Sequence, residues 1–171
     1  MNKSVFNHFA RPVYVLNNTS NPYLNAARNE NTFTTFINGA STNVAIQLSN
    51  PNNSNKNIYI KALFIRNTGS GSIGQIRLLS GATLAGVPQS PVKYNYSLGS
   101  TNTGVAIIEG RTGTTVIASD GTVLEVASSV AAQDAGIYRI PILITPNTSL
   151  SVEVKQTTSL QIQIDYWEES I

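Results

Sequence analysis

From Thr32 onwards, apolar and polar residues alternate in short runs separated by turn-forming residues. Alternation with a period of two puts successive side chains on opposite faces of an extended chain, so each run reads as a strand. The runs are 32–37 (TFTTFI), 42–49 (TNVAIQLS), 57–66 (NIYIKALFIR), 75–80 (QIRLLS), 83–87, 92–96, 104–109 (GVAIIE), 114–118 (TTVIA), 122–127 (TVLEVA), 137–145 (IYRIPILIT), 149–156 (SLSVEVKQ) and 160–167 (LQIQIDYW). In 42–49, Val44, Ile46 and Leu48 share one face. In 57–66, Ile58, Ile60, Ala62 and Phe64 fall on one face and Tyr59, Leu63 and Ile65 on the other, which predicts a strand covered on both sides. In 160–167, Leu160, Ile162, Ile164 and Tyr166 form a buried face. Gln161, Gln163, Asp165 and Trp167 form a wet one. Asn38-Gly39 and Asp120-Gly121 supply the positive φ angles of tight hairpins and are expected to turn the chain there. Pro141 cannot donate to a ladder and marks an edge or a bulge. Residues 128–136 (SSVAAQDAG) are expected to hold a helical turn. No helix of ten or more residues with a 3.6 period appears. This rhythm predicts an all-β fold, an antiparallel β-sandwich of jelly-roll type over residues 32–171.

Residues 1–31 break the rhythm. Asn is dense, and Pro12 and Pro22 interrupt regular structure. Phe6, Phe9, Tyr14, Leu16 and Tyr23 are scattered through this stretch, and a disordered tail is poorer in aromatics. It reads as an extended N-terminal arm whose apolar residues lie on a surface, either its own sandwich or a neighbouring subunit, with one or two helical turns at 23–29. The expected interface residues are Phe6, Phe9, Tyr14, Leu16, Tyr23 and Trp167.

Composition narrows the chemistry. The 171 residues suit one domain. Only 12% are charged, and 19 Asn, 18 Ser and 17 Thr supply the polarity instead. There is no cysteine, so disulfides, thiolate metal sites and cysteine nucleophiles are excluded. The single histidine, His8, excludes two-histidine metal sites. Residues 1–93 carry eight Lys/Arg against Glu30 alone, while residues 94–171 carry three Lys/Arg against eight acids. The split is read either as complementary faces on neighbouring copies or as two halves that interleave in one sheet system. The basic residues are spread singly, so nucleic-acid binding is not expected despite an isoelectric point near 9.0. No apolar stretch suits a secretory signal or a membrane span.

No motif rises to catalysis. Residues 69–74 (GSGSIG) spell G-x-G-x-x-G, but a strand-like run follows, and no acid stands between Glu30 and Glu109. The stretch reads as a hairpin loop. His8 alone could serve a serine nucleophile, and no G-x-S-x-G elbow is present. The carboxylates Glu109, Asp120, Glu125, Asp134, Glu153, Asp165, Glu168 and Glu169 show no pairing that singles out an acid and a base. The expectation is a protein that is not an enzyme, with no cofactor and no metal. Tyr94, Tyr96, Tyr138 and Trp167 are candidates for sugar stacking. The sequence Trp167-Glu168-Glu169 reads as a strand end that anchors a ring and then meets solvent.

The run 57–110, with its hydrophobic strand, Gly/Ser loop, QIRLLSGATLAG and PVKYNYSLGS, resembles small all-β virion structural proteins of tailed bacteriophages. So does the ending, ILITPNTSLSVEV followed by LQIQIDYWEES. A more distant likeness is to the jelly-roll pilins of bacterial spore appendages, which join subunits through an N-terminal arm and cysteine cross-links; this chain has no cysteine. The resemblance implies a non-enzymatic head-decoration, collar or tail component. Its partners would be other virion proteins and copies of itself in a homo-oligomer, and its location the virion, after synthesis in the host cytoplasm. The alternative is a carbohydrate- or receptor-binding module on a virion or cell surface.

Overall fold

A computed structural model describes residues 21–40, 42–128, 130–139, 141–155 and 158–171. The chain is an all-β sandwich of antiparallel strands, preceded by one short helix, α1 (Pro22–Arg28). The strands are β1 (Thr32–Gly39), β2 (Asn43–Asn50), β3 (Lys56–Asn67), β4 (Gln75–Ser80), β5 (Thr83–Leu84), β6 (Val87–Gln89) and β7 (Val92–Asn95). The remainder are β8 (Ile107–Gly113), β9 (Ile117–Ser119), β10 (Thr122–Ser128), β11 (Ala135–Tyr138), β12 (Leu143–Ile144), β13 (Thr148–Lys155) and β14 (Leu160–Ser170). The first sheet has the order β11-β3-β14-β1-β7, with β12 also pairing β3. The second has the order β10-β4-β13-β2-β8-β6, and β5 and β9 form a separate ribbon.

The core lies between the two sheets, where the alternating faces read from the sequence meet. Val44, Ile46 and Leu48 of β2 and Leu150, Val152 and Val154 of β13 pack against Leu160, Ile162, Ile164 and Tyr166 of β14. A second, smaller cluster forms outside the second sheet, where Val116 and Ile117, at the start of β9, cover Ala45 and Leu79. It explains why β2 is buried on both faces. Gln47, on that outer face, donates Nε2 to Ala82 O at 2.9 Å and to Ser151 Oγ at 2.7 Å, so its burial leaves the amide donor satisfied.

Four local expectations are corrected. Asn38 and Gly39 do not turn a hairpin: they end β1 opposite Gln161 and Leu160 of β14, and β2 belongs to the other sheet. Gly121 does take a positive φ of 58°, but its turn leads from the ribbon strand β9 into β10, which pairs with β4. The 69–74 segment likewise connects strands of different sheets rather than two arms of a hairpin. Asn67 holds it in shape by donating Nδ2 to Gly71 O at 2.6 Å and accepting Gly69 N–H at 3.1 Å. Residues 131–134 form a turn and not a helix. Pro141 lies at the break between β11 and β12, on the sheet edge as expected.

The predicted faces of β3 are also corrected. Asp165 of β14 stands opposite Ala62 and Tyr166 opposite Ile60, which leaves Lys61 as an extra residue, a β-bulge. The extra residue inverts the alternation. Ile58 and Ile60 before the bulge and Leu63 and Ile65 after it therefore all enter the same core, and Ala62 and Phe64 turn to the outer face.

Of the expected arm, residues 21–31 are packed on the sandwich, and residues 1–20 lie outside the described residues. Asn21 caps α1, its Oδ1 accepting Tyr23 N–H at 3.0 Å, and Pro22 follows at the first helical position. Ala26 is the residue of α1 that is buried. Glu30, with φ 58°, redirects the chain into β1.

Candidate functional site

Most of the acids make structural contacts. Arg77 on the second sheet binds Glu153 through Nε and Asp120 through Nη1 at 2.9 Å. The Asp120 and Glu153 hydrogen bonds raise the guanidinium's pKa, and Arg77 lowers that of Asp120. Glu109 meets Arg111 at 3.3 Å, and Asp134 accepts Ala135 N–H at 2.7 Å. Asp165 accepts from Gln163 Nε2 at 3.0 Å. Among the described residues, no group of three or more His, Cys, Asp or Glu stands close enough to hold a metal ion.

Glu168 does not meet solvent. β14 runs on to Ser170, and the Glu168 side chain is fully buried. Its Oε1 accepts from Val105 N at 2.7 Å and Ala106 N at 3.1 Å, and its Oε2 from Lys56 Nζ at 3.2 Å. Lys93 enters the same region, with Nζ 3.1 Å from Ala106 O, and burial lowers its pKa. Together with the Asn95 and Asn102 amides, which donate to Glu30 O at 2.7 and 2.9 Å, these contacts tie the 96–106 loop to the start of β1.

The outer face of the first sheet is rich in apolar and aromatic side chains. Strand register sets them in transverse rows: Ile137–Phe64–Gln163–Phe36–Val92, then Ala62–Asp165–Thr34–Tyr94, then Leu143–Tyr59–Trp167–Thr32. The helix lies over the last row. Trp167 stacks on Tyr59 at 5.0 Å between ring centres, and Tyr23 meets Trp167 edge-on at 5.7 Å. The Lys61 ammonium lies 3.8 Å from the centre of the Tyr23 ring. Beside this cluster opens a pocket of about 580 Å³ whose lining includes Tyr23, Tyr59, Lys61, Arg139, Leu143 and Trp167. Further along the face, Tyr94 stacks on Phe36 at 6.2 Å. Burial and a hydrogen bond with Asp165 push the Tyr96 hydroxyl up to about 12.

Of the interface residues expected from the sequence, the structure brings Tyr23 and Trp167 together; Phe6, Phe9, Tyr14 and Leu16 lie outside the described residues. Tyr138 packs on the core rather than outward. Sequence reading passed over Tyr59, Lys61 and Arg139. The bulge at Lys61 was the missing signal, because it determines which β3 side chains share the Trp167 face.

The sandwich also carries an open flank. On the edge strand β10, Val123, Leu124 and Val126 are 46%, 48% and 53% exposed. A register shift between Val123 and Glu125 interrupts its pairing with β4. Ile137 of β11 and Leu143 of β12, on the first sheet's edge, are also exposed.

Comparison with family models, with curated proteins and with solved structures gives no match. No helix among the described residues is long and apolar enough to cross a membrane.

Proposed function

We propose that this chain is a non-enzymatic structural subunit that assembles with copies of itself, in the manner of a virion head-decoration, collar or tail protein. The observation that carries the reading is β10, an edge strand with three exposed aliphatic side chains and, among the described residues, one side of its ladder unpaired. Isolated proteins protect such edges with charge, proline, a bulge or a covering element; β10 has Glu125 and the bulge at Val123–Glu125 and, among the described residues, neither a proline nor a covering element. A partner strand would satisfy the free backbone groups and bury the side chains together.

The strand order supports the jelly-roll form. Taking β1, β2, β3, β4, β10, β11–β12, β13 and β14 as strands one to eight, one sheet runs 1-8-3-6 and the other 2-7-4-5. Two interlocked Greek keys give that order. A sandwich with few charged residues and many Asn, Ser and Thr suits contacts insensitive to salt. The virion setting rests on the resemblance of residues 57–110 and of the C-terminal run.

Light scattering and negative-stain imaging of the purified chain test the reading. Rings, lattices or defined oligomers are expected, and Val126→Lys is expected to disperse them with the thermal unfolding midpoint little changed. A strict monomer at high concentration, or assembly indifferent to charge on β10, would remove the proposal.

A further inference from the structure

We propose that the pocket between α1, β3, β12 and the end of β14 binds a small organic carboxylate that presents an apolar or ring face. This site is separate from the β10 edge and does not depend on the assembly reading. Its volume of about 580 Å³ falls within the range of small-molecule pockets, roughly 300–1,000 Å³. Tyr23, Tyr59, Trp167 and Leu143 supply the apolar lining. Lys61 and Arg139 supply two cations, and no carboxylate lines the space.

Among the described residues, Lys56, Arg77 and Arg111 each hold a carboxylate within an ion pair; Lys61 and Arg139 hold none, as do Arg28, Arg66, Lys93 and Lys155, but they are the two that line this aromatic pocket together. The acids flanking Trp167 on its face of β14 do not answer them. Asp165 is buried and accepts from Gln163, and Glu169 does not line the pocket. The Lys61 ammonium is already placed, resting over the Tyr23 ring. An anion entering here gains charge-assisted contacts to Lys61 and Arg139 while its ring meets the aromatic wall. The first twenty residues, which join the fold at Asn21 on the pocket wall, carry Lys3 and Arg11 and no acid. Charge therefore favours an external anion over that segment as the occupant.

Trp167 is the single tryptophan of the chain, so its emission reports on this pocket directly. The full-length protein is titrated with benzoate and with glucuronate, and with benzyl alcohol and glucose as their uncharged counterparts. A saturable emission change is expected with at least one acid, and binding of its uncharged counterpart is expected to be at least about tenfold weaker. A response to benzoate marks an aromatic acid as the ligand type, and a response to glucuronate marks a sugar acid. Lys61→Ala and Arg139→Ala are each expected to weaken binding about 3–10-fold, with the unfolding midpoint unchanged. The proposal is overturned by saturable response to neither acid, by equal binding of the uncharged compounds, or by full affinity in the double variant.

Discussion

Glu168 sits with its side chain fully shielded from water, where a carboxylate persists only if its charge is answered. Two backbone amides and the Lys56 ammonium answer it, and the amides belong to the loop that closes over it. Gly104, with φ 65°, allows that loop to turn in so closely, because a side chain there would collide with the carboxylate and with Phe33. A buried acid of this kind is not legible in the sequence. The run WEES at the end of an alternating strand suggests a ring followed by solvated charge, and only the loop from a distant part of the chain makes Glu168 interior. Glu168→Gln keeps the shape but turns an acceptor-only group partly into a donor beside two N–H groups and an ammonium. The expected cost is about 2–4 kcal/mol in urea unfolding. Faster proteolysis is expected within residues 96–106. An unchanged urea midpoint would mean that the loop does not depend on this charge.

At the scale of elements, period-two alternation located the strands of the core well, because each core strand has one face against the opposing sheet and this imprints on its own residues. Val44, Ile46 and Leu48, and Leu160, Ile162, Ile164 and Tyr166, are buried as their spacing predicts, although Asp165, expected on the wet face of β14, is buried as well. Two things were not imprinted. Turn chemistry at Asn38-Gly39 was overridden, since β1 gains a full-length partner in β14, more than 120 residues away. The β3 bulge was hidden, since the sequence NIYIKALFIR is apolar at nearly every position and conceals a phase change. The bulge is decisive for the candidate pocket, because it sends Ile58, Ile60, Leu63 and Ile65 inward while leaving Tyr59 outward beside Trp167. Deleting Lys61 removes the extra residue and forces one half of β3 to reverse its faces. That deletion is expected to abolish cooperative unfolding in circular dichroism. Lys61→Ala keeps the residue count and is expected to fall within about 0.5 kcal/mol of the parent, as for other exposed substitutions. Equal stability of the two variants would show that β3 can slip its register without penalty.

The last two strands decide whether the molecule as a whole can close. β13 lies between β4 and β2 in the second sheet, and β14 lies between β3 and β1 in the first. Both central positions are therefore filled by residues 148–170, while the strands they join come from residues 32–80. The sequence shows strong strands at both ends of the chain but not that they interleave, because pairing between distant strands leaves no local mark. The charge asymmetry was the one long-range hint. Lys56 from the basic half meets Glu168 from the acidic half, and Arg77 meets Asp120 and Glu153. Interleaving within one sandwich thus absorbs part of the split. Without β13 and β14, β1 and β3 have no common neighbour, nor have β2 and β4, and the core loses Leu150, Val152, Val154, Leu160, Ile162, Ile164 and Tyr166 together. Two-state folding with mostly non-local pairing is slow, in the millisecond-to-second range for β-sandwiches, because loop closure precedes the contacts that offset it. A chain ending at Asn147 is accordingly expected to show no thermal transition and to bind a dye for exposed apolar surface, whereas the full chain unfolds in a single step. Addition of a peptide spanning residues 148–171 to the shortened chain is expected to restore strand content as the two strands insert. A cooperative transition in the shortened chain alone would mean that one sheet is stable without its central strand, contrary to the closure that the strand order requires.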